Sequence, residues 1–189
     1  MVTMYIGGGL ANKMFQYAFS LAIKKKGYDV VYDTITFKTE FVHDRVELDD
    51  IFPNVNMNKI SKSDYWAAGK QSKLARLVKR ISPKYITEHA YLFNDKVWEQ
   101  IKPTCYLESS WQDENYFVSV ADEVRQAFVF PPFEDERNVE VAQAMASSNS
   151  VAIHIRKGDG YGTWNIFSNT CPKKYYDKAL GYIKEHVEN

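Results

Sequence analysis

Val2-Thr3-Met4-Tyr5-Ile6-Gly7-Gly8-Gly9-Leu10-Ala11-Asn12-Lys13-Met14-Phe15-Gln16-Tyr17-Ala18 is the stretch whose reading decides the fold. Val2 to Ile6 is a short apolar run, and it ends in a glycine-rich turn, Gly7 to Asn12. From Met14 to Lys25 the apolar residues Met14, Tyr17, Ala18, Leu21 and Ala22 recur at helical spacing. Gly27 stands where such a helix would stop. Asp29 to Tyr32 then reads as a second strand. Strand, glycine loop, helix, strand is the opening of an α/β unit with parallel strands, so an α/β N-terminal domain is expected.

Outward from this unit the pattern is less regular. Thr34 to Asn58 reads as loop with short elements. Lys59 to Lys84 carries eight basic residues and one acid, Asp64. Within it Leu74, Leu77, Val78 and Ile81 line one face of a helix whose other face is basic. Cys105 to Glu108 is a predicted strand, Ser109 to Gln112 a loop, and Glu114 to Ala127 a helix. Phe130-Pro131-Pro132-Phe133 breaks the pattern and is the best linker. A helix is expected over Arg137 to Ala146, a buried strand over Val151 to Ile155, and a last helix from Pro172. Tyr176, Ala179, Ile183 and Val187 would form the buried stripe of that helix.

This organisation gives an N-terminal α/β domain over 1–130, a linker and helix over 131–149, and a last strand-and-helix unit over 150–189. About 40 residues do not normally build a separate core. The last unit is therefore expected either to pack on the first or to be the beginning of something longer.

Composition narrows the function. Lys+Arg and Asp+Glu balance at 24 each, which argues against a general nucleic-acid binder. The two cysteines, Cys105 and Cys171, lack CxxC spacing and suit a reducing compartment. No leader and no bilayer-length apolar run is visible, so a cytoplasmic protein is expected, with peripheral contact at the inner membrane open. The basic helix, Lys70 to Ile81, has two readings: contact with an anionic membrane surface, or an ordinary solvated face, which is the commoner case. The sequence contains no DxD, its four histidines are scattered, and no zinc spacing occurs, so neither a metal site nor a cofactor is expected.

Val151 to Asp159 ends an apolar run in His154, Arg156, Lys157 and Asp159. Ligands of open α/β sheets sit outside the carboxyl ends of strands. The fixed donors of an arginine engage two phosphate oxygens at once, so Arg156 points to a nucleotide or sugar nucleotide. On a strand, His154 and Arg156 would face the same side. His154 could donate to a phosphate or a sugar hydroxyl, or be a satisfied histidine on a buried strand. Asp159 could act as general base or orient Arg156, and the orienting role is favoured. Gly8 and Gly9 would let the backbone approach a ligand next to a helix start, and Asn12 would offer its amide there. An ordinary tight turn gives the same pattern. Trp111 and Trp164 fit sugar stacking and core packing about equally.

Gly7 to Ala18 resembles the GGLGNQMFQYA opening of the α-1,2-fucosyltransferases, glycosyltransferase family 11. His154-Ile155-Arg156-Lys157-Gly158-Asp159 is similar to the HxRRGD motif of that family, and Trp111 to Phe117 to its WQSEKYF-type segment. Cys171-Pro172 with Tyr175, Tyr176 and Ala179 resembles the stretch after the motif. The resemblance implies two facing Rossmann-like domains of the GT-B type, an acceptor-side one over 1–130 and a second, GDP-fucose-binding one of which 150–189 would be the start. It also implies transfer of L-fucose from GDP-fucose to the 2-hydroxyl of a galactose-containing glycan, inverting and without a metal. Arg156 and Asp159 would then be catalytic, and Gly8, Gly9, Asn12, His154 and Lys157 would bind substrate. Ala11, Lys13 and Lys157 depart from the motifs, and alanine would be strained at position 11 if that position needs a positive φ. The later motifs of the family have no counterpart before Asn189. Two other readings stand beside the enzyme: a non-catalytic binding or scaffold fragment of one, and an unrelated nucleotide-binding α/β domain.

Overall fold

The glycine-loop unit folds as its pattern asks. β1 spans Val2–Tyr5, α1 spans Leu10–Lys25 and β2 spans Val30–Asp33. A computed structural model describes residues 1–35, 46–61, 85–88, 92–155 and 171–187. The expected basic helix over Lys70 to Ile81 lies outside the described residues, as does the Gly160 to Trp164 loop.

Alternation along β1 sends Val2 and Met4 to full burial while Thr3 and Tyr5 stay half-buried. The buried side faces α1, whose Tyr17, Phe19 and Ile23 join Val2, Met4, Val30 and Tyr32 in one core. Gly27 ends α1 as the sequence suggests. Its φ is +88°, its N–H donates to Lys24 O (2.9 Å), and the Tyr28 N–H reaches back to Ile23 O (3.4 Å). These two bonds form a Schellman motif, which needs a left-handed residue and so favours glycine. Lys24 and Lys25 in the last turn complement the negative end of the helix.

After β2 come a short helix α2 (Leu48–Ile51), strand β3 (Tyr85–Ile86), helix α3 (Lys96–Gln100) and strand β4 (Tyr106–Leu107). The strands form a parallel sheet in the order β2-β1-β4-β3. Tyr85 and Tyr106 are register partners, and their rings stack 5.5 Å apart. Such directly opposed aromatic pairs are a main stabiliser of sheets. The sheet is α/β and Rossmann-like, as expected.

The expected single helix over Glu114 to Ala127 is corrected. Two 3-10 turns, Glu114–Tyr116 and Val118–Val120, precede a shorter α4 at Ala121–Ala127. Phe117 (φ −139°) and Val120 (φ −128°) leave helical geometry between them. Tyr116 is drawn into the core, where its hydroxyl accepts the Asn94 N–H (3.0 Å). Aromatic and β-branched residues gain little from a helix here, so packing decides.

The chain divides into two compact units, Met1–Pro131 and Pro132–Asn189. The second unit contains α5 (Glu136–Ala146) and α6 (Lys173–His186), and neither helix has a buried residue. Asp135 caps α5 through the Asn138 N–H (3.0 Å). The expected strand over Val151 to Ile155 is not formed. Val151, Ile153 and Ile155 are 48%, 48% and 56% exposed. A strand draws its stability from ladder partners, and none pairs with this segment among the described residues. Tyr176, Ala179 and Ile183 are half-buried, whereas Val187, expected in the same stripe, is exposed. Among the described residues no helix is long and apolar enough to cross a membrane.

Tyr32 gives the first unit an alkaline limit. Burial pushes its phenol from 10.0 to about 12, against the lowering effect of its 2.8 Å hydrogen bond with Ser20 Oγ. The folded phenol stays neutral after the unfolded one has ionised. Its contribution is therefore complete below pH 10 and lost as pH climbs towards 12. Urea unfolding is expected to show a falling midpoint across that window in the native chain and a flatter profile in Tyr32→Phe. Parallel profiles would remove Tyr32 as the cause.

Candidate functional site

The carboxyl ends of β1 and β4, the two central strands, carry the loops that come together. Behind β1 lies Gly7 to Gly9, which leads into α1; behind β4 lies Ser109 to Asp113. Gln16 joins the two. From nearly two turns inside α1 its Oε1 accepts the Gly7 N–H (2.8 Å), and its Nε2 donates to Ser109 O (3.0 Å). A buried amide is costly unless both of its ends are met, and here both are.

Gly8 holds φ +83°, and a Cβ there would stand 2.6 Å from Asn12 Nδ2. Glycine is thus required twice, by the backbone and by the Asn12 amide. Gly9 differs: it is exposed, with φ −66°, and a Cβ there would meet no atom of the described residues within 4 Å. Gly8→Ala is expected to cost about 1–2 kcal/mol from the left-handed backbone alone. Gly9→Ala should melt like the native chain. Calorimetry of the pair checks this, and equal melting temperatures would deny the conformational demand at Gly8.

Asn12 is half-buried in the first turn of α1, where its Oδ1 accepts from Gln112 Nε2 (2.5 Å). Gln112 sits in a loop pinned on both sides. The Ser109 hydroxyl donates to Glu88 O. The Asp113 carboxylate accepts the N–H groups of Asn115 (3.0 Å) and Phe93 (2.8 Å), and these bonds, Asn115 first, hold it below the usual carboxylate range. Trp111 between them has φ +52°, a rare backbone for a bulky residue, and its ring is 2% exposed against Phe19 and Tyr116. The ring is core, which settles Trp111 in favour of packing over sugar stacking. Its Nε1 is the buried side-chain polar atom without a hydrogen-bond partner among the described residues.

Carboxylates also gather at the strand ends. Asp33 closes β2, is buried, and accepts from the Tyr106 hydroxyl (2.6 Å) and the Ile35 N–H (2.9 Å). Glu108 follows β4 and accepts from the Tyr85 hydroxyl. Ala11 lies within α1, so it is helical and the strain considered for it does not arise. Lys13 is buried, with its ammonium on Val46 O (2.6 Å).

The structure thus brings Gly8, Gly9 and Asn12 to one place and adds Gln16, Ser109 and Gln112, for which the sequence alone suggests no role. Gln16 carried a signal: an amide on the apolar face of a helix must find partners. His154 is exposed, not on a buried strand, and its carbonyl accepts from the Tyr176 hydroxyl (3.2 Å). Without that strand, alternation no longer sets His154 on the side of Arg156. Arg156, Lys157 and Asp159 lie outside the described residues, as does Trp164. Among the described residues no three His, Cys, Asp or Glu side chains group as metal ligands.

No family model matches the chain, and no solved structure does. Along its whole length the chain is similar to the alpha-1,2-colitosyltransferase of Escherichia coli, 26% identical over 208 aligned residues, and it spans 66% of the length of that relative.

Proposed function

We propose that the chain belongs to a glycosyltransferase that uses a nucleotide sugar and forms a 1,2 linkage. The observation that carries this reading is the similarity, over the entire chain, to a 1,2-glycosyltransferase. The loops at the strand ends support it, because they contain the residues of the glycine-loop and Trp111 segments that resemble family 11.

In its finer form the proposal is transfer of L-fucose, or a related residue such as colitose, from a GDP-linked donor to the 2-hydroxyl of a galactoside. The geometry would be that of a GT-B enzyme, cytoplasmic or peripheral on the membrane, with inversion and no metal. Breaking the anomeric bond builds negative charge on the leaving diphosphate. A preorganised cation there favours the transition state over the ground state, and Arg156, helped by Lys157, takes that role. His154 binds donor or acceptor oxygen, and Asp159 orients Arg156 or receives the acceptor proton.

A radiolabel transfer assay with GDP-fucose and a galactoside tests this. Turnover should persist in EDTA, and Asn12→Ala should lower it by about tenfold or more without unfolding. No transfer from any nucleotide sugar by a folded chain would overturn the enzyme reading for this chain. One observation favours a second reading, a fragment that holds acceptor but not donor: the described residues of Pro132–Asn189 include no buried one. Titration with GDP separates the two, since the fragment would not bind it.

A further inference from the structure

We infer that the Asn12–Gln112 amide pair reads one hydroxyl group of a neutral sugar, which makes Gln112 a specificity-determining residue. The inference rests on the glycosyltransferase reading and deepens it.

Asn12 and Gln112 spend one oxygen and one nitrogen on each other (2.5 Å). Among the described residues neither side chain makes another hydrogen bond. That bond leaves the Asn12 Nδ2 amino group and the Gln112 Oε1 oxygen for a ligand, besides one further N–H on Gln112 Nε2 and one lone pair on Asn12 Oδ1. Exchanging O and N in both amides leaves the same complement, so the argument does not depend on that assignment. A ligand atom that meets both must donate and accept at once. A hydroxyl does this; a phosphate oxygen only accepts, and an ammonium only donates. Neither amide carries charge, so the pair suits a neutral polyol better than an ion.

The setting is built for a fixed read-out. Gly8 leaves the space that Asn12 Nδ2 occupies, and among the described residues Gly9 beside it has no atom within 4 Å of its missing side chain. Trp111 keeps an unfavourable left-handed backbone immediately before Gln112, with its ring locked in the core. Strain of this kind persists only where its surroundings over-determine it. Gln16, through Ser109, ties the Gln112 loop to the glycine loop, so the two amides are held in register before any ligand arrives.

The test uses the whole 189-residue chain and ligand-observed NMR titration. The probes are methyl β-galactoside with its monodeoxy derivatives, and GDP-fucose with GDP alone. The native chain should bind one deoxy galactoside about five- to tenfold more weakly than the parent, the loss of one hydrogen-bonded hydroxyl. Gln112→Leu should bind the parent as weakly as that deoxy form and bind the deoxy form as the native chain does. Selective loss on the galactoside places the hydroxyl on the acceptor. Loss on GDP-fucose with GDP unchanged places it on the donor sugar. Either result upholds the inference. Should Gln112→Leu melt abnormally, Gln112→Asn, which keeps the amide but shortens its reach, takes its place. Undiminished discrimination in the variant, with transfer intact, overturns the inference alone. A folded native chain that binds neither sugar probe overturns it together with the glycosyltransferase reading.

Discussion

Arg156→Ala is expected to lower transfer by about 100- to 1,000-fold, the usual cost of removing a preorganised group that faces developing charge. The melting temperature should not move, because the effect is on the transition state and not on the fold. On the proposed mechanism the arginine fork would engage two oxygens of the leaving diphosphate, and its charge would be worth most once the anomeric bond has begun to break. Arg156→Lys keeps the charge and loses the fork, so it should fall between the native chain and alanine. Steady-state kinetics at saturating donor is the relevant measurement. The loss should appear in kcat, with KM moving less. A native rate in Arg156→Ala would remove this residue from the chemistry and leave leaving-group stabilisation to other groups.

Phe19→Ala should have the largest effect on stability. Phe19 is fully buried in the middle of α1. Its ring centre lies 5.1 Å from Trp98, 5.0 Å from Trp111 and 4.9 Å from Tyr116. Truncation would open a cavity between three large rings that cannot all collapse into it. The expected cost is about 3–5 kcal/mol. Domains of this size are stable by about 5–15 kcal/mol, so a large part of the margin would go. Chemical denaturation reads it directly, and a loss under about 1 kcal/mol would mean that the rings repack. Phe19→Leu, which keeps much of the volume, should be far milder. Because Trp111 leans on Phe19, the alanine variant should also loosen the Gln112 loop.

What the sequence reveals follows from the range of the interactions involved. β1, α1, β2 and the stop at Gly27 are written in local periodicity and one glycine, and they form within a few residues of their expected limits. β3 at Tyr85–Ile86 has two residues, too few for any alternation to register. Glu114 to Ala127 misleads because a core tyrosine, Tyr116, outbids helical continuity. Val151 to Ile155 misleads in the opposite sense: an apolar run suits a buried strand, but a neighbour to pair with is also required. The same split holds at the site. Gly8 and Asn12 belong to one short segment and could be singled out together. Gln112 meets Asn12 across 100 positions, and Gln16 meets Ser109 across 93. No spacing rule connects residues that far apart; only the sheet order does.

That order has a consequence for how the protein is made. Among the described residues β4 is the last strand of the sheet to leave the ribosome, yet it lies between β1 and β3. Until Tyr106 and Leu107 emerge, β1 lacks its pairing on that flank and β3 has no neighbour among the described strands. Exposed flanks of this kind recruit other chains. Nascent chains that end before Tyr106 should therefore clump or require a chaperone, whereas chains that run through Ala127 can close the sheet. Stalling translation on either side of that boundary would make the first unit a timer for its own solubility.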